Sequence, residues 1–215
     1  MKEIKKREIP FERVLFFSDA IVAIAITLLA LDLKLELPKN HHLTFQDLLL
    51  PWRNYLAFLL SFINIANFWR THHKMYTYIH KMSDRTLVYN ICWVFFIVTL
   101  PFSTTVLSTH FGDSASIFLY SLNILALAVC QNMIWDSADE TQDFIDSEKL
   151  PDEERKRLRI MFNLDMINAV VCISISFFVA KIAFFLLFFK VPVFFLASIY
   201  IANQRRKEII GGKRK

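Results

Sequence analysis

Residues 13–32 read RVLFFSDAIVAIAITLLALD, and this stretch decides what kind of protein the sequence encodes. Between the charged residues at its two ends, the only polar side chains are Ser18, Asp19 and Thr27. An α-helix needs about 20 mostly apolar residues to cross a hydrocarbon core about 30 Å thick. The stretch therefore predicts a membrane-spanning helix. A signal peptide would have a shorter apolar region followed by a small-residue cleavage site.

Comparable apolar runs recur along the chain, which has 215 residues, 55% of them hydrophobic. We predict an all-α integral membrane protein with six transmembrane helices in one domain, residues 1–203, followed by a basic tail, residues 204–215. The last two spans are separated only around Lys181, which makes their boundary the least well defined. The predicted spans are residues 14–33, 54–72, 86–109, 114–135, 160–179 and 182–203.

Basic residues lie mainly on one set of alternate connections between these spans. The N-terminal 13 residues, the tail and the connections at 70–85 and 136–159 hold twenty Lys and Arg residues, whereas the opposite connections hold four. Cytoplasmic loops are enriched in Lys and Arg, so both termini are predicted to be cytoplasmic, which requires an even number of spans. The net charge of +5 comes from basic residues that lie between apolar runs, where membrane proteins carry them. We therefore predict a multi-pass protein of the plasma membrane and no nucleic-acid partner.

Glycine is scarce, and the three glycines, Gly112, Gly211 and Gly212, all lie outside the predicted spans. The sequence therefore lacks the glycine-rich motifs of dinucleotide-binding proteins, P-loop NTPases and α/β-hydrolases. It also lacks a glycine-bearing selectivity-filter loop. All three cysteines lie in apolar segments, which favours buried thiols over a disulfide framework or a metal site. We therefore expect no enzymatic activity, no metal site and no cofactor.

The first predicted helix has two different faces. At 3.6 residues per turn, Ile24, Thr27, Leu28 and Leu31 fall on one narrow stripe, and Ser18 and Asp19 point to another side. The residues alone leave lipid contact, helix packing and a pore lining open for the stripe.

An ionised Asp within a membrane helix costs about 2.5–3.5 kcal/mol on insertion scales, so Asp19 should have a partner. We interpret it as a structural hydrogen-bonding residue. Candidate partners lie near the cytoplasmic ends of the second and third spans. They are Asn64, Asn67, Trp69, His72, His73 and Asn90.

A family resemblance rests on these residues. The pattern Arg-x-x-x-Phe-Ser-Asp, from Arg13 to Asp19, and the apolar continuation to residue 33 resemble the first helix of the transmembrane protein 175 family of potassium channels. Trp69-x-x-His72-His73, Asn90 and the Pro-Phe pair at 101–102 are supporting matches. The specific resemblance covers about the first half of the chain, and the length is similar to that of the prokaryotic, single-repeat members.

The resemblance implies a homotetramer in which helix 1 of each subunit lines the pore. It implies an apolar constriction at Ile24, Leu28 and Leu31 that serves as gate and selectivity element, with a polar layer at Thr27. The permeant ion would be K⁺, in a leak-type pore of weak to moderate selectivity within the lipid bilayer. The resemblance also implies a structural polar network formed by Arg13, Phe17, Ser18, Asp19, Trp69, His72, His73 and Asn90.

Other functions remain open at the level of sequence. A proton- or cation-coupled secondary transporter would use Asp19, Asp165, His72 and His73 as a relay. A membrane enzyme would require a nucleophile elbow or an oxyanion device beside Ser18, and the sequence has neither motif. The acidic segment 136–154 is predicted to be a solvated cytoplasmic loop with some helix.

Overall fold

The computed structural model describes residues 11–38, 40–140, 144–145 and 150–188. Within these ranges the protein is all-helical, with a short 3₁₀ helix at Asp47–Leu49 before the second long helix. Residues 180–188 are also helical and follow a turn at 177–179. The long helices are α1 (Phe11–Leu31), α2 (Trp52–Tyr76), α3 (Asp84–Thr109), α4 (Ser114–Asp139) and α5 (Asp152–Ser176).

Local sequence signals account for several helix ends. The Ser83 side chain accepts a hydrogen bond from the Thr86 backbone N–H at 3.1 Å and so caps the start of α3. Gly112 connects α3 to α4 at a φ of +92°, a conformation that glycine adopts without strain. The first turn of α5 is acidic, which is favourable at the positive end of a helix dipole.

The helices pack around α3 and α4. The helix α3 contacts α1, α2 and α4, and α5 packs against α4. Large side chains fill this core, and the largest of the fully buried ones include Trp93, Trp135, Tyr120, Phe68 and Phe162. The helix α1 lies at the edge of the bundle, since only 28% of its most apolar 18-residue stretch is buried, against 56% of the corresponding stretch of α4.

Four of the described helices, α1, α3, α4 and α5, are long and apolar enough to cross a membrane. The chain is therefore an all-helical protein with several membrane-spanning candidates. The helix α2 contains the predicted span 54–72 but is more polar, because it carries His, Asn and basic residues toward its end. Most of the predicted span 182–203, all of the tail 204–215 and the first ten residues lie outside the described ranges.

The acidic segment 136–154, predicted to be a solvated loop with some helix, is helical at both of its ends. Its two ends belong to α4 and α5, where Asp139 pairs with Arg155 at 3.2 Å and Asp136 pairs with Arg159. Between them, the isolated β-bridge from Ile145 to Ile79 joins the segment to the connection after α2. Because these helical ends are rich in charged residues that form ion pairs, hydropathy alone does not predict where the helices end and begin.

Candidate functional site

The two faces of α1 differ in burial as the residue spacing predicts. Ser18, Val22, Ala25 and Leu29 are buried against the neighbouring helices. On the opposite side, Ile24 is 57%, Leu28 40% and Leu31 67% exposed, and Thr27 is exposed between them. The described part of the chain thus leaves the apolar stripe uncovered.

The hydroxyl of Thr27 is oriented by its own helix. Its Oγ1 donates to the backbone carbonyl of Ile24 at 2.7 Å. Because the donor is used in this bond, the exposed side of the hydroxyl oxygen offers lone pairs, which accept hydrogen bonds or contact cations. The stripe of one subunit therefore carries one acceptor oxygen among apolar side chains.

The buried face of α1 is held by Asn90 of α3. Asn90 Nδ2 donates to Ser18 Oγ at 2.9 Å, and Ser18 Oγ donates in turn to the carbonyl of Val14 at 3.0 Å. Asn90 Oδ1 accepts from His72 Nε2 at 2.9 Å and from the Tyr76 hydroxyl at 3.2 Å. Since Asn90 Oδ1 is an acceptor, His72 carries its proton on Nε2 in this arrangement.

A second contact to α1 lies beside the first. Trp69 Nε1 donates to Asp19 Oδ1 at 2.9 Å, and the His73 ring stacks on the Trp69 ring with centroids 5.6 Å apart. This part is at the surface of the subunit, because Trp69 and His73 are exposed and Asp19 is half-buried. We call the bonded set, Ser18, Asp19, Trp69, His72, Tyr76 and Asn90, the α1 anchor.

Aromatic packing fixes the imidazole at the centre of the α1 anchor. The Trp93 ring stacks on the His72 ring with centroids 4.1 Å apart, and Tyr76 meets it edge-on at 4.6 Å. Trp93 and Tyr76 were not among the site residues predicted from the sequence. The signal was present as helical spacing, since Tyr76 lies four residues after His72 and Trp93 three residues after Asn90.

Two predicted members of the network lie apart from it. Arg13 and Phe17 are exposed on the first turns of α1. Among the described residues, neither has a hydrogen bond or ion pair with the α1 anchor. The structure therefore brings six of the eight predicted network residues into one region, and one of these six, His73, is joined to the others by ring stacking only.

The remaining candidate partners of Asp19 are elsewhere. Asn64 Nδ2 donates to the hydroxyl of Tyr120 at 3.0 Å, which places it one level deeper in the bundle. The Asn67 carbonyl accepts from Thr71 within α2. The Tyr120 hydroxyl also accepts from Ser61 Oγ at 3.2 Å, and Ser61 Oγ forms a hydrogen bond with Thr104 Oγ1 at 2.7 Å. We call Ser61, Asn64, Thr104 and Tyr120 the core polar cluster, which joins α2, α3 and α4.

Other acidic candidates have structural contacts. The carboxylate of Asp32 accepts from the Thr105 hydroxyl, and its backbone carbonyl accepts from Asn54 Nδ2 at 3.5 Å. Asp165 is buried on α5, well inside that helix. Across the described ranges, no group of three or more His, Cys, Asp and Glu side chains is arranged to hold a metal ion.

Comparison with known proteins bears on this region directly. Residues 13–101 match the family model described as endosomal/lysosomal potassium channel TMEM175. The matched range contains every residue of the apolar stripe and of the α1 anchor. The resemblance to this family is confirmed.

Relatives and a solved structure extend the similarity along the chain. A potassium channel of Streptomyces collinus is 25% identical over 169 residues, which is 77% of this chain and 82% of the relative. A potassium channel of Chamaesiphon minutus is 28% identical over 195 residues, or 88% and 92%. The crystal structure of a lysosomal potassium-selective channel TMEM175 homolog from Chamaesiphon minutus superposes with a TM-score of 0.69 at 24% identity. It covers 87% of this chain and 97% of that one. The fold is therefore shared over most of both chains.

Proposed function

From this relationship to the transmembrane protein 175 family, we propose that the chain is one subunit of a potassium-selective, leak-type cation channel. The channel is a homotetramer in the plasma membrane, and each subunit has six transmembrane helices and cytoplasmic termini. K⁺ is the permeant ion, and α1 of each subunit lines the pore. The names of the two bacterial relatives support the choice of ion.

The observation that carries the proposal is the opposite character of the two faces of α1. One face is bound to α3 through the buried Asn90–Ser18 hydrogen bond and to α2 through the Trp69–Asp19 bond at the surface of the subunit. The other presents Ile24, Leu28 and Leu31 away from the bundle. Four copies arranged around an axis would bring these exposed stripes together. Lipid contact alone would not require two interhelical hydrogen bonds that fix the rotation of the helix.

The spacing of the stripe supports a hydrophobic gate. At 1.5 Å rise per residue, Ile24 and Leu28 are about 6 Å apart along the axis, and Leu28 and Leu31 about 4.5 Å. Stacked apolar rings of this kind close a narrow pore by dewetting, and an ion must thin its hydration shell to cross. K⁺ holds its water less tightly than Na⁺, so the penalty favours K⁺ modestly. The Thr27 oxygens form a polar layer within this barrier.

The α1 anchor has a structural role in this mechanism. A constriction made of side chains selects only if the helix that carries them keeps its rotation and depth. Asn90 and Trp69 bind α1 at Ser18 and Asp19, about one to two turns before Ile24. The network thus positions the constriction without contacting the ion.

A matched pair of variants tests the pore assignment. Ile24 on α1 and Ile167 on α5 are exposed to nearly the same degree, 57% and 59%. In liposome flux, Ile24→Asn should raise conductance and lower the K⁺/Na⁺ permeability ratio, because an amide ring hydrates the constriction. Ile167→Asn places the same amide on a face outside the pore and should change neither quantity. Equal effects of the two variants would refute a pore lined by α1.

The transporter hypothesis uses the same region differently. A relay through Asp19, His72, His73 and Asp165 requires proton transfer between them. In the described chain Asp19 is bonded to Trp69 and His72 to Asn90, and neither bond joins a carboxylate to an imidazole. This arrangement favours the channel. Saturable K⁺ flux that stops when a proton gradient is removed would instead support the transporter.

A further inference from the structure

The connection between α1 and α2 contains an exposed apolar segment that the channel proposal does not use. Residues 43–52 read LTFQDLLLPW. Phe45 is 90%, Leu49 70% and Leu50 65% exposed, and Leu43, Leu48 and Trp52 are exposed as well. So many large apolar side chains on one short segment form a patch, and exposed apolar patches mark sites of interaction with proteins or membranes.

The polarity of this segment is inverted relative to a loop in water. Its one acidic residue, Asp47, is buried, and the leucines that follow it are exposed. The carboxylate accepts from the Thr44 hydroxyl and the Thr44 backbone N–H, both at 2.7 Å, and bonds to His41 Nε2 at 2.9 Å. These bonds lower the pKa of Asp47, so the acid stays ionised while it caps the turn. The segment is therefore folded so that its charge points inward and its apolar side chains point outward.

The position of the segment matches a membrane boundary. It begins at residue 43, in the connection that follows the span candidate α1 (Phe11–Leu31), and ends in the first turn of α2. The bonds from Asn54 and Thr105 to Asp32 tie the chain just after α1 to α2 and α3. At the other end the Trp52 ring packs edge-on against Phe111, with centroids 5.2 Å apart, so both ends of the connection are held at the bundle. Tryptophan at such a boundary is typical of the aromatic belt at the level of the lipid headgroups.

A cation lies next to the patch. The Arg53 guanidinium carbon is 5.6 Å from the Trp52 ring centroid and 5.7 Å from that of Phe111. Among the described residues no carboxylate forms an ion pair with Arg53. Its side chain is exposed, and the two rings hold it beside the apolar patch.

We propose that residues 43–52 form an interfacial anchor. Phe45 and the leucines at 48–50 insert into the acyl boundary of the phospholipid leaflet, and Arg53 contacts a headgroup phosphate. The apolar patch lies in the connection that follows a span candidate, and the neighbouring charge is the sign that phosphate attracts. The inference requires only that α1 crosses the membrane. It does not depend on which ion passes or on where the pore lies.

Depth-dependent quenching tests the insertion. Phe45→Cys and Leu49→Cys are made in the full chain carrying Cys92→Ala, Cys130→Ala and Cys172→Ala, labelled with a polarity-sensitive fluorophore and reconstituted into phosphatidylcholine vesicles. Glu36→Cys, at an exposed polar position of the same connection, is the matched control. Lipid carrying a quencher near the top of its acyl chain should quench labels 45 and 49 severalfold more than label 36. Aqueous iodide should give the reverse order.

Two other outcomes overturn the insertion. Strong iodide quenching at positions 45 and 49 would place the segment in water. Protection from both quenchers would place it against a second copy of the chain. Elution of every labelled variant at the volume of the parent protein excludes misfolding as the cause.

A second pair of variants tests the headgroup contact. Arg53→Gln should reduce lipid quenching of the label at 45, because the loss of the phosphate contact lets the segment lie shallower. Lys34→Gln removes a positive charge from the same connection outside the patch and should leave quenching unchanged. Unchanged quenching in Arg53→Gln would refute the role of Arg53. Because no flux is measured, this result is independent of the channel proposal.

Discussion

The α1 anchor and the core polar cluster are both polar sets within an apolar bundle, yet they join different helices. The core polar cluster links α2, α3 and α4 to one another through Ser61, Asn64, Thr104 and Tyr120. The α1 anchor links the edge helix to that bundle through Asn90 and Trp69. The core polar cluster therefore stabilises the subunit, whereas the α1 anchor determines where one helix lies. Variants in the two sets should separate stability from permeation.

The largest effect is expected from Asn90→Ala. This change removes three hydrogen bonds at once and leaves Ser18, His72 and Tyr76 without their shared partner. Membrane hydrogen bonds average about 0.6 kcal/mol each, and burial without a partner adds to this, so we expect a loss of about 2 kcal/mol. The thermal midpoint of the oligomer in detergent should fall, and K⁺ selectivity in liposomes should fall with it. A variant that kept wild-type selectivity would break the link between the α1 anchor and the pore.

Tyr120→Phe should cause the second-largest loss of stability but, unlike Asn90→Ala, should leave ion selectivity unchanged. The phenol oxygen of Tyr120 accepts from both Ser61 and Asn64, and the residue is fully buried. The loss of two bonds should cost about 1 kcal/mol. The midpoint should fall in the same detergent assay while the K⁺/Na⁺ permeability ratio stays at the wild-type value. A changed ratio would mean that the core polar cluster also controls the pore.

Tyr76→Phe is the chemically matched partner of that variant, because it removes one buried phenol hydroxyl from the α1 anchor. Its single bond to Asn90, at 3.2 Å, should be worth about 0.6 kcal/mol, so the midpoint should fall less than in Tyr120→Phe. We nevertheless expect the larger change in permeability ratio here, since Asn90 also holds Ser18 of α1. The reverse ranking of the two tyrosines in flux would contradict the division between the two sets.

The sequence was sufficient for the parts of this comparison that depend on one helix. The apolar run from residue 14 predicts a helix that the structure places at Phe11–Leu31, and helical spacing separates Ser18 and Asp19 from the stripe. Sequence position made Asn90 and Trp69 two of several candidate partners of that face, and the family resemblance was needed to place both in one network with it. The location of Asn64 beside Tyr120 could not be predicted, because it depends on how α2 is rotated against α4. Tyr76 was missed because α2 continues beyond its apolar part, and hydropathy does not register that last turn.

The last variant, Asp19→Asn, keeps its hydrogen bond and tests what the charge of the α1 anchor contributes. An asparagine oxygen still accepts from Trp69 Nε1, so the geometry at 2.9 Å persists while the charge assistance is lost. Because Trp69 is exposed and Asp19 half-buried, the cost should be under about 1 kcal/mol. Assembly should weaken slightly and permeation should remain as in wild type, in the same detergent and liposome assays. Asp19→Ala, which removes the acceptor altogether, is the control and should weaken assembly more. If Asp19→Asn kept a fully stable oligomer but altered ion permeation, Asp19 would act on the ion itself, and the purely structural role assigned to the α1 anchor would be wrong.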